Sequence, residues 1–406
     1  MAQAGLNRKL NEVKERLGDV NFLDFGDVDI VTAHQLLGGE VRDQVHKILR
    51  NKLGKCSREQ LREQIRIVRK CRSALVEKSG SPEIHHHIRI ALHTYADCLS
   101  AWSKGAELDV ILRDEIQKWS VDEEPISEND LALLLQNDET GCQTGVYREE
   151  DGSVLLWHTE EDAETTPGSR FDKLRVAIFG VPEGDRRVKI SAFIYPDLLP
   201  GPAFGWRSNG SVQAVDTLHV EPGDQEPAVL ANVAAWITLF LEKQVEPAEV
   251  IAVLAPFLDG YAITTVRQQD GAVRASRVEF GGGEQVVSIL DEQPGSFLFQ
   301  VNMFSQKAAA HMARYERLKP ETREKLTQRI VRTESFLTNL PASRPDAWQA
   351  LFKLMASTDG ADFAYANEDV KAHLLCEVTA DGMKVQVGAG PVVEGEDGST
   401  NVSRNS

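Results

Sequence analysis

A mixed α+β protein with helical layers outside β-sheets is the fold class the sequence predicts, and three observations predict it. Residues 1 to about 120 carry apolar residues at helical spacing. From about residue 142 the texture changes to short alternating strands with turn signals. Beyond that, strand pairs and helix pairs alternate along the chain, which suggests helices packed on the outside of sheets.

The elements follow in order. LREQIRIVRKCRSALVEK and IHHHIRIALHTYADCLSAW read as amphipathic helices. SVDEEPISEND, followed by the helical LALLLQ, separates this first part from the α/β part. Gln143–Tyr147 reads as a strand, Glu149–Gly152 (EEDG) as a turn and Ser153–Trp157 as the returning strand. Strands continue in LRVAIFGVPEGDRRVKISAFIYP and GSVQAVDTLHV. A helical block follows, AVLANVAAWITLFLEK and PAEVIAVLAPFL. YAITTVRQQDGAVRASRVEF and SFLFQVNMF return to strands. QKAAAHMARYERL, ETREKLTQRIVRTESFLTNL and DAWQALFKLMA are helices, and AHLLCEVT and KVQVGA are the last two strands. FGGGEQ (Phe280–Gln285) lacks the lysine and threonine of a phosphate loop and reads as a turn. The polar, acidic PVVEGEDGSTNVSRNS is expected to be disordered.

Composition narrows the function. The chain has 406 residues, 42% hydrophobic and 26% charged, which suits a globular protein with a substantial core. The formal net charge of −17 argues against nucleic acid as the main ligand. Residues 41–80 are rich in arginine and lysine, either as a patch for an acidic partner or as the solvated face of helices. MAQAGLNRKLNEVKERL lacks the apolar core of a signal peptide, and Val229–Leu241 is too short an apolar run to span a bilayer. A cytoplasmic location and no membrane partner are the expectations. Five cysteines without C-x-x-C spacing exclude a disulfide framework and a cysteine zinc site from the expectations. His85, His86 and His87 point about 100° apart on a helix and cannot share an ion; His93 and Asp97 lack a third ligand. No metal and no cofactor are expected.

Gly141–Cys142, at the mouth of a strand, raises a chemical question. Read alone, Cys142 is a small apolar residue packing one face of a hairpin. Its surroundings point elsewhere. From about Ser127 to Pro391 the chain resembles the acyl-coenzyme A:6-aminopenicillanic acid acyltransferase family. These are N-terminal-nucleophile (Ntn) hydrolases, whose precursor cuts itself just before a catalytic cysteine. ISENDLALLLQNDETGCQT is similar to the helix that runs into the Gly–Cys processing site, and YREEDGSVLLWHTEE to the hairpin after it. YPDLLPGPAFGWRSNGSVQAVDTL, FLEKQVEPAEVIAVL, DGAVRASRVEF, VNMF and HMARYERL resemble later family stretches in the family's order.

The resemblance implies an Ntn αββα four-layer sandwich over 142–390, preceded by a helical pro-segment or small subunit over 1–141 and followed by an acidic tail over 391–406. It implies Cys142 as nucleophile, Gly141–Cys142 as the bond cut, and Glu160 and His158 at the family's aspartate and asparagine positions. Asn302 is implied at the oxyanion hole. Arg314 is expected to pair with Glu160 or to bind a substrate carboxylate. Trp206 and Arg207 are implied in substrate binding. Glutamate for aspartate, His158 for asparagine and Arg207 for asparagine depart from the family pattern.

The chemistry needs a cysteine at a chain terminus, because cleavage creates an α-amino group of pKa near 7.7–8.0 beside the thiol. One residue then supplies nucleophile and base. Expected partners are a small amide or acyl-CoA-like substrate and the two processed fragments for each other. Two other readings stand beside this one: an Ntn-like scaffold without activity that binds partners, and a cysteine amidase that is never cut and uses His158 as base.

Overall fold

A computed structural model of the chain describes residues 19–116, 120–121, 124–135, 141–161, 174–218, 220, 231–240, 245–254, 260–316, 318–340, 346–356 and 370–392. The N-terminal region holds strand β1 (Asn21–Phe25) and helices α1 (Ile30–Lys55), α2 (Arg58–Gly80) and α3 (His86–Gly105). A short α4 (Leu108–Ile111) runs into one π turn, Leu112–Ile116. A two-stranded ladder of β2 (Ser120–Val121) and β3 (Glu124–Pro125) precedes α5 (Glu128–Leu135).

These helices start where side chains can satisfy free backbone N–H groups. Asp29 accepts from Val31 and Thr32 at the head of α1. Ser57 and Gln60 form a reciprocal capping box at the head of α2. Helices α1 and α3 cross closely because two glycines meet the partner backbone. A Cβ on Gly38 would fall 2.2 Å from Trp102 O, and one on Gly105 would fall 1.9 Å from Gln35 O.

The remaining strands build two sheets. β4 (Gly141–Arg148) and β5 (Val154–Glu161) form a hairpin, as do β6 (Arg175–Glu183) and β7 (Arg186–Ile194). β8 (Phe204–Arg207) and β9 (Ser211–Thr217) precede α6 (Ala231–Phe240) and α7 (Pro247–Leu254). β10 (Tyr261–Gln269) and β11 (Ala272–Gly281) turn on Asp270 and Gly271, both at positive φ (52° and 76°), as a two-residue hairpin turn requires. β12 (Glu284–Ile289) and β13 (Phe297–Gln300) lead to α8 (Gln306–Met312), α9 (Pro320–Thr338) and α10 (Asp346–Met355). β14 (Val370–Val378) and β15 (Met383–Ala389) close the order.

The large sheet runs β1-β6-β7-β8-β9-β10-β11-β12 and the small sheet β13-β4-β5-β14-β15. Alternation along each strand decides what lies on either face. Val146, Leu156 and Leu374 of the small sheet share one apolar cluster with Phe193, Phe204 and Ala214 of the large sheet, so these faces pack on each other. The odd-numbered neighbours Tyr147, Leu155, Trp157 and Leu375 pack instead with Leu337 from α9 and with Leu351 and Met355 from α10. On the far face of the large sheet, Phe179, Ile190 and Ile263 pack with Leu37, Trp102 and Trp236 from α1, α3 and α6.

The mixed α+β class, two sheets and a helical N-terminal region agree with the sequence reading. Four features differ from it. Residues 21–25, inside a part read as helical, form β1 and pair in parallel with β6. VNMF does not continue as a strand: pairing ends at Gln300 and 301–303 bend away. FGGGEQ does contain a turn, at Gly282–Gly283, but β12 follows it directly. The ladder of β2 and β3 was not foreseen. In the expected tail only Pro391 and Val392 are described, and residues 393–406 lie outside the described residues, as do residues 1–18.

Candidate active site

The β4–β5 hairpin fixes the geometry. Its register places Cys142 opposite Glu160 and Thr144 opposite His158. These four are even-numbered, like Val146 and Leu156, so all face the opposite sheet. The His158 ring meets the edge of Phe204 from that sheet, with centroids 5.5 Å apart. Cys142, His158 and Glu160 are all fully or almost fully buried, and one donor atom from each lies within 4.8 Å of the others.

A chain of hydrogen bonds orders the cluster. His158 Nε2 donates to Glu160 Oε2 at 2.8 Å, and the Thr144 hydroxyl donates to His158 Nδ1 at 2.8 Å. Tyr195, from the end of β7, donates its hydroxyl to Glu160 Oε1. Burial pushes His158 down to about 3, so the ring is neutral and a weak base.

Asn302 completes the arrangement from the other side of β4. β13 pairs Gln300 with Thr144, and the chain then bends so that Asn302 stands beside Cys142. The Cys142 N–H donates to Asn302 Oδ1 at 3.3 Å, and Asn302 Nδ2 donates to Thr217 O at 2.9 Å. Asn302 itself sits at φ 61°, a left-handed conformation uncommon outside glycine and held here by those two bonds.

The sulfur is held as a thiol. Burial raises its pKa well above the usual value, and the Glu160 and Asp216 carboxylates add to the rise; the Thr217 backbone N–H works against it. Asp216, on β9 across the sheet interface, is fully buried. Burial pushes its carboxyl up to about 8, with the nearby Thr144 hydroxyl and Arg277 guanidinium opposing. Thr144 is close to Asp216, yet its aligned bond goes to His158, and neither Asp216 oxygen has a partner in hydrogen-bond geometry.

Of the residues singled out from sequence, Cys142, His158, Glu160 and Asn302 come together, with Gly141 directly before the cysteine in β4. Arg314 does not. It pairs with Glu284 on the surface, with 63% of its side chain exposed, so the expected pairing with Glu160 is corrected. Arg207 lies on the helix-facing side of the large sheet, donating to Leu239 O at 3.3 Å and pairing with Glu183 at 3.3 Å. Its neighbour Trp206 faces the core between the sheets. Thr144, Tyr195, Asp216 and Thr217 were missed by the sequence reading. Asp216 had one usable signal, an acid at an inward position of the alternating SVQAVDT.

Among the described residues, Cys142, His158 and Glu160 also form a group that could hold a metal ion, offering one sulfur, one nitrogen and one oxygen. A separate cavity of about 600 Å³ opens between the edges of β12 and β13 and helices α8 and α9. Val301 and Met303 line it on either side of Asn302, whereas Cys142 does not. Comparison with family models finds no match, and comparison with curated proteins finds none.

Proposed function

We propose that the chain is a self-processing cysteine Ntn hydrolase or acyltransferase, its two packed sheets and flanking helices forming the αββα sandwich of that class. The observation that supports this most is the double hold on Cys142. Asn302 takes its backbone N–H while its side chain stands opposite Glu160. The bond from Asn302 to the Cys142 N–H supports a reading in which the peptide before Cys142 is held for attack by its own sulfur.

Burial suits the first step, because an intramolecular attack needs no path for a substrate. The Cys142 sulfur adds to the Gly141 carbonyl carbon, the C–N bond breaks, and the nitrogen takes up a proton to become the new α-amine. The thioester left behind is hydrolysed by water, giving a Gly141 carboxylate and a free thiol. Gly141 has no side chain to obstruct that attack. Glu160 is placed to receive the thiol proton, since the neutral His158 is a weak base, and to hold the ammonium afterwards. The processed Cys142 then attacks an amide or thioester substrate. The second hydrogen of the Asn302 amide serves the oxyanion. Water completes hydrolysis, or an amine completes acyl transfer.

The proximity of His158 to the sulfur favours a second reading, a cysteine amidase that is never cut. Its weakness is the same low basicity of His158.

The test is the intact mass of freshly purified protein under denaturing conditions, beside Cys142→Ala. Two fragments, one ending at Gly141 and one beginning at Cys142, with the variant whole, support self-processing. A single uncut chain in both overturns it and leaves the uncut amidase or a silent scaffold.

A further inference from the structure

We infer that Cys142, His158 and Glu160 form a binding site for one soft divalent cation of the zinc type, which holds the nucleophile inactive while bound. The metal site stands on the geometry of the three side chains and does not require the chain to be cut; its silencing effect rests on the nucleophilic role proposed above for Cys142.

Donor identity comes first. Thiolate, imidazole and carboxylate are the three ligand types that zinc takes, and catalytic-type sites use three protein ligands and keep a fourth position open. One donor atom from each residue lies within 4.8 Å of the other two, so modest side-chain movement brings all three onto one ion.

Charge comes second. A divalent cation with one thiolate and one carboxylate is neutral as a unit. That matters in a place where Cys142, His158 and Glu160 are all buried and a net charge would be costly. Binding displaces the thiol proton to solvent. The imidazole coordinates through Nε2, with its ring proton on Nδ1, donated to Thr144 Oγ1. The Glu160 carboxylate turns Oε2 from the ring to the ion.

Outer partners come third, and they separate a site from a chance cluster. Histidine ligands are oriented by a bond at the other ring nitrogen, and ligating carboxylates are themselves hydrogen-bonded. Thr144 already stands 2.8 Å from His158 Nδ1, and Tyr195 already bonds the second oxygen of Glu160. In the bound state one lone pair of the sulfur is committed to the ion, which lowers its nucleophilicity toward a carbonyl.

The experiment uses Co²⁺ as the probe, because a thiolate on cobalt gives a charge-transfer band in the near ultraviolet. Metal-depleted full-length protein is titrated with Co²⁺, both after folding and during refolding, since the site is closed to solvent. The expected result is one equivalent bound with a thiolate band that Zn²⁺ abolishes. The band should be absent in Cys142→Ala, with circular dichroism confirming that the variant folds. Thr144→Val, which removes only the outer partner, should weaken binding by about 10–100-fold. No thiolate band in folded wild-type protein by either route, or a band that persists in Cys142→Ala, overturns the inference. Intact mass reports cleavage separately, so failure of the metal site and failure of self-processing are told apart.

Discussion

Replacing Asn302 with alanine separates a catalytic amide from a structural one, because three contributions can be estimated in advance. Loss of the side chain leaves the Cys142 N–H and the Thr217 carbonyl buried without their partner. Each orphaned group costs about 1–3 kcal/mol. Alanine at φ 61° adds roughly 1–2 kcal/mol of backbone strain. If the amide also stabilises the oxyanion, the barrier rises by about 2.7–4 kcal/mol, or roughly 10²–10³ in rate. Asn302→Gly removes the amide without the strain, so the difference between the two variants isolates the strain, while the oxyanion contribution is read from the rate. The assay is the appearance of the fragment beginning at Cys142, followed by mass after synthesis, together with denaturant midpoints for stability. Both variants should lose stability, alanine more than glycine, and both should cut roughly 10²–10³ more slowly. A glycine variant that cuts at the wild-type rate would refute the assignment of Asn302 to the reaction.

Stability should peak near pH 6.5 through three buried groups. His34 and His158 are lowered from 6.5 to about 4 and about 3, so their contribution is full above 6.5 and lost as pH falls through the folded values. Asp216 is raised from 3.8 to about 8, so it erodes stability as pH climbs between those values. Each group contributes about 1.4 kcal/mol per pH unit inside its window. Asp216→Asn should flatten the limb from pH 6.5 to 8, read from urea midpoints at the two ends. Gly145→Ala places a methyl 1.9 Å from Trp157 Cζ2, so the folded chain should lose at least about 1–3 kcal/mol in the same measurement. Arg314→Ala should leave self-cleavage unchanged and alter stability by no more than about 1 kcal/mol, since its ion pair is exposed. A strong cleavage defect in that variant would return Arg314 to the site.

The β4–β5 hairpin was legible in the sequence because alternation and the EEDG turn together set the strand register. Once that register is fixed, Cys142 must face Glu160 and Thr144 must face His158. Asn302 was legible only through its motif, since its approach to Cys142 depends on β13 pairing with β4 across most of the domain's length. Asp216 and Tyr195 belong to the other sheet. Nothing local to either residue tells which strand of one sheet lies over which strand of the other. Arg314 shows the opposite failure: a helix motif matched in order, yet Glu284 is the nearer opposite charge at the surface. β1 was missed for a related reason. NFLDF is short, and its strand character comes from the exposed edge of β6 rather than from its own residues.

The parallel pairing of β1 with β6 would have a consequence for the molecule if it is cut as proposed. A chain severed before Cys142 would become two polypeptides, and the smaller one would contribute both an edge strand and residues of five helices, α1 to α5, to the core it shares with the larger. Unfolding then changes its molecularity. The intact chain melts at one midpoint whatever its concentration, whereas the severed form must reassemble from separate pieces and melts lower on dilution. In the proposed cut form the smaller piece would be no disposable leader: stripped of it, the large sheet would expose the flank of β6 and the apolar face that α1 and α3 now cover.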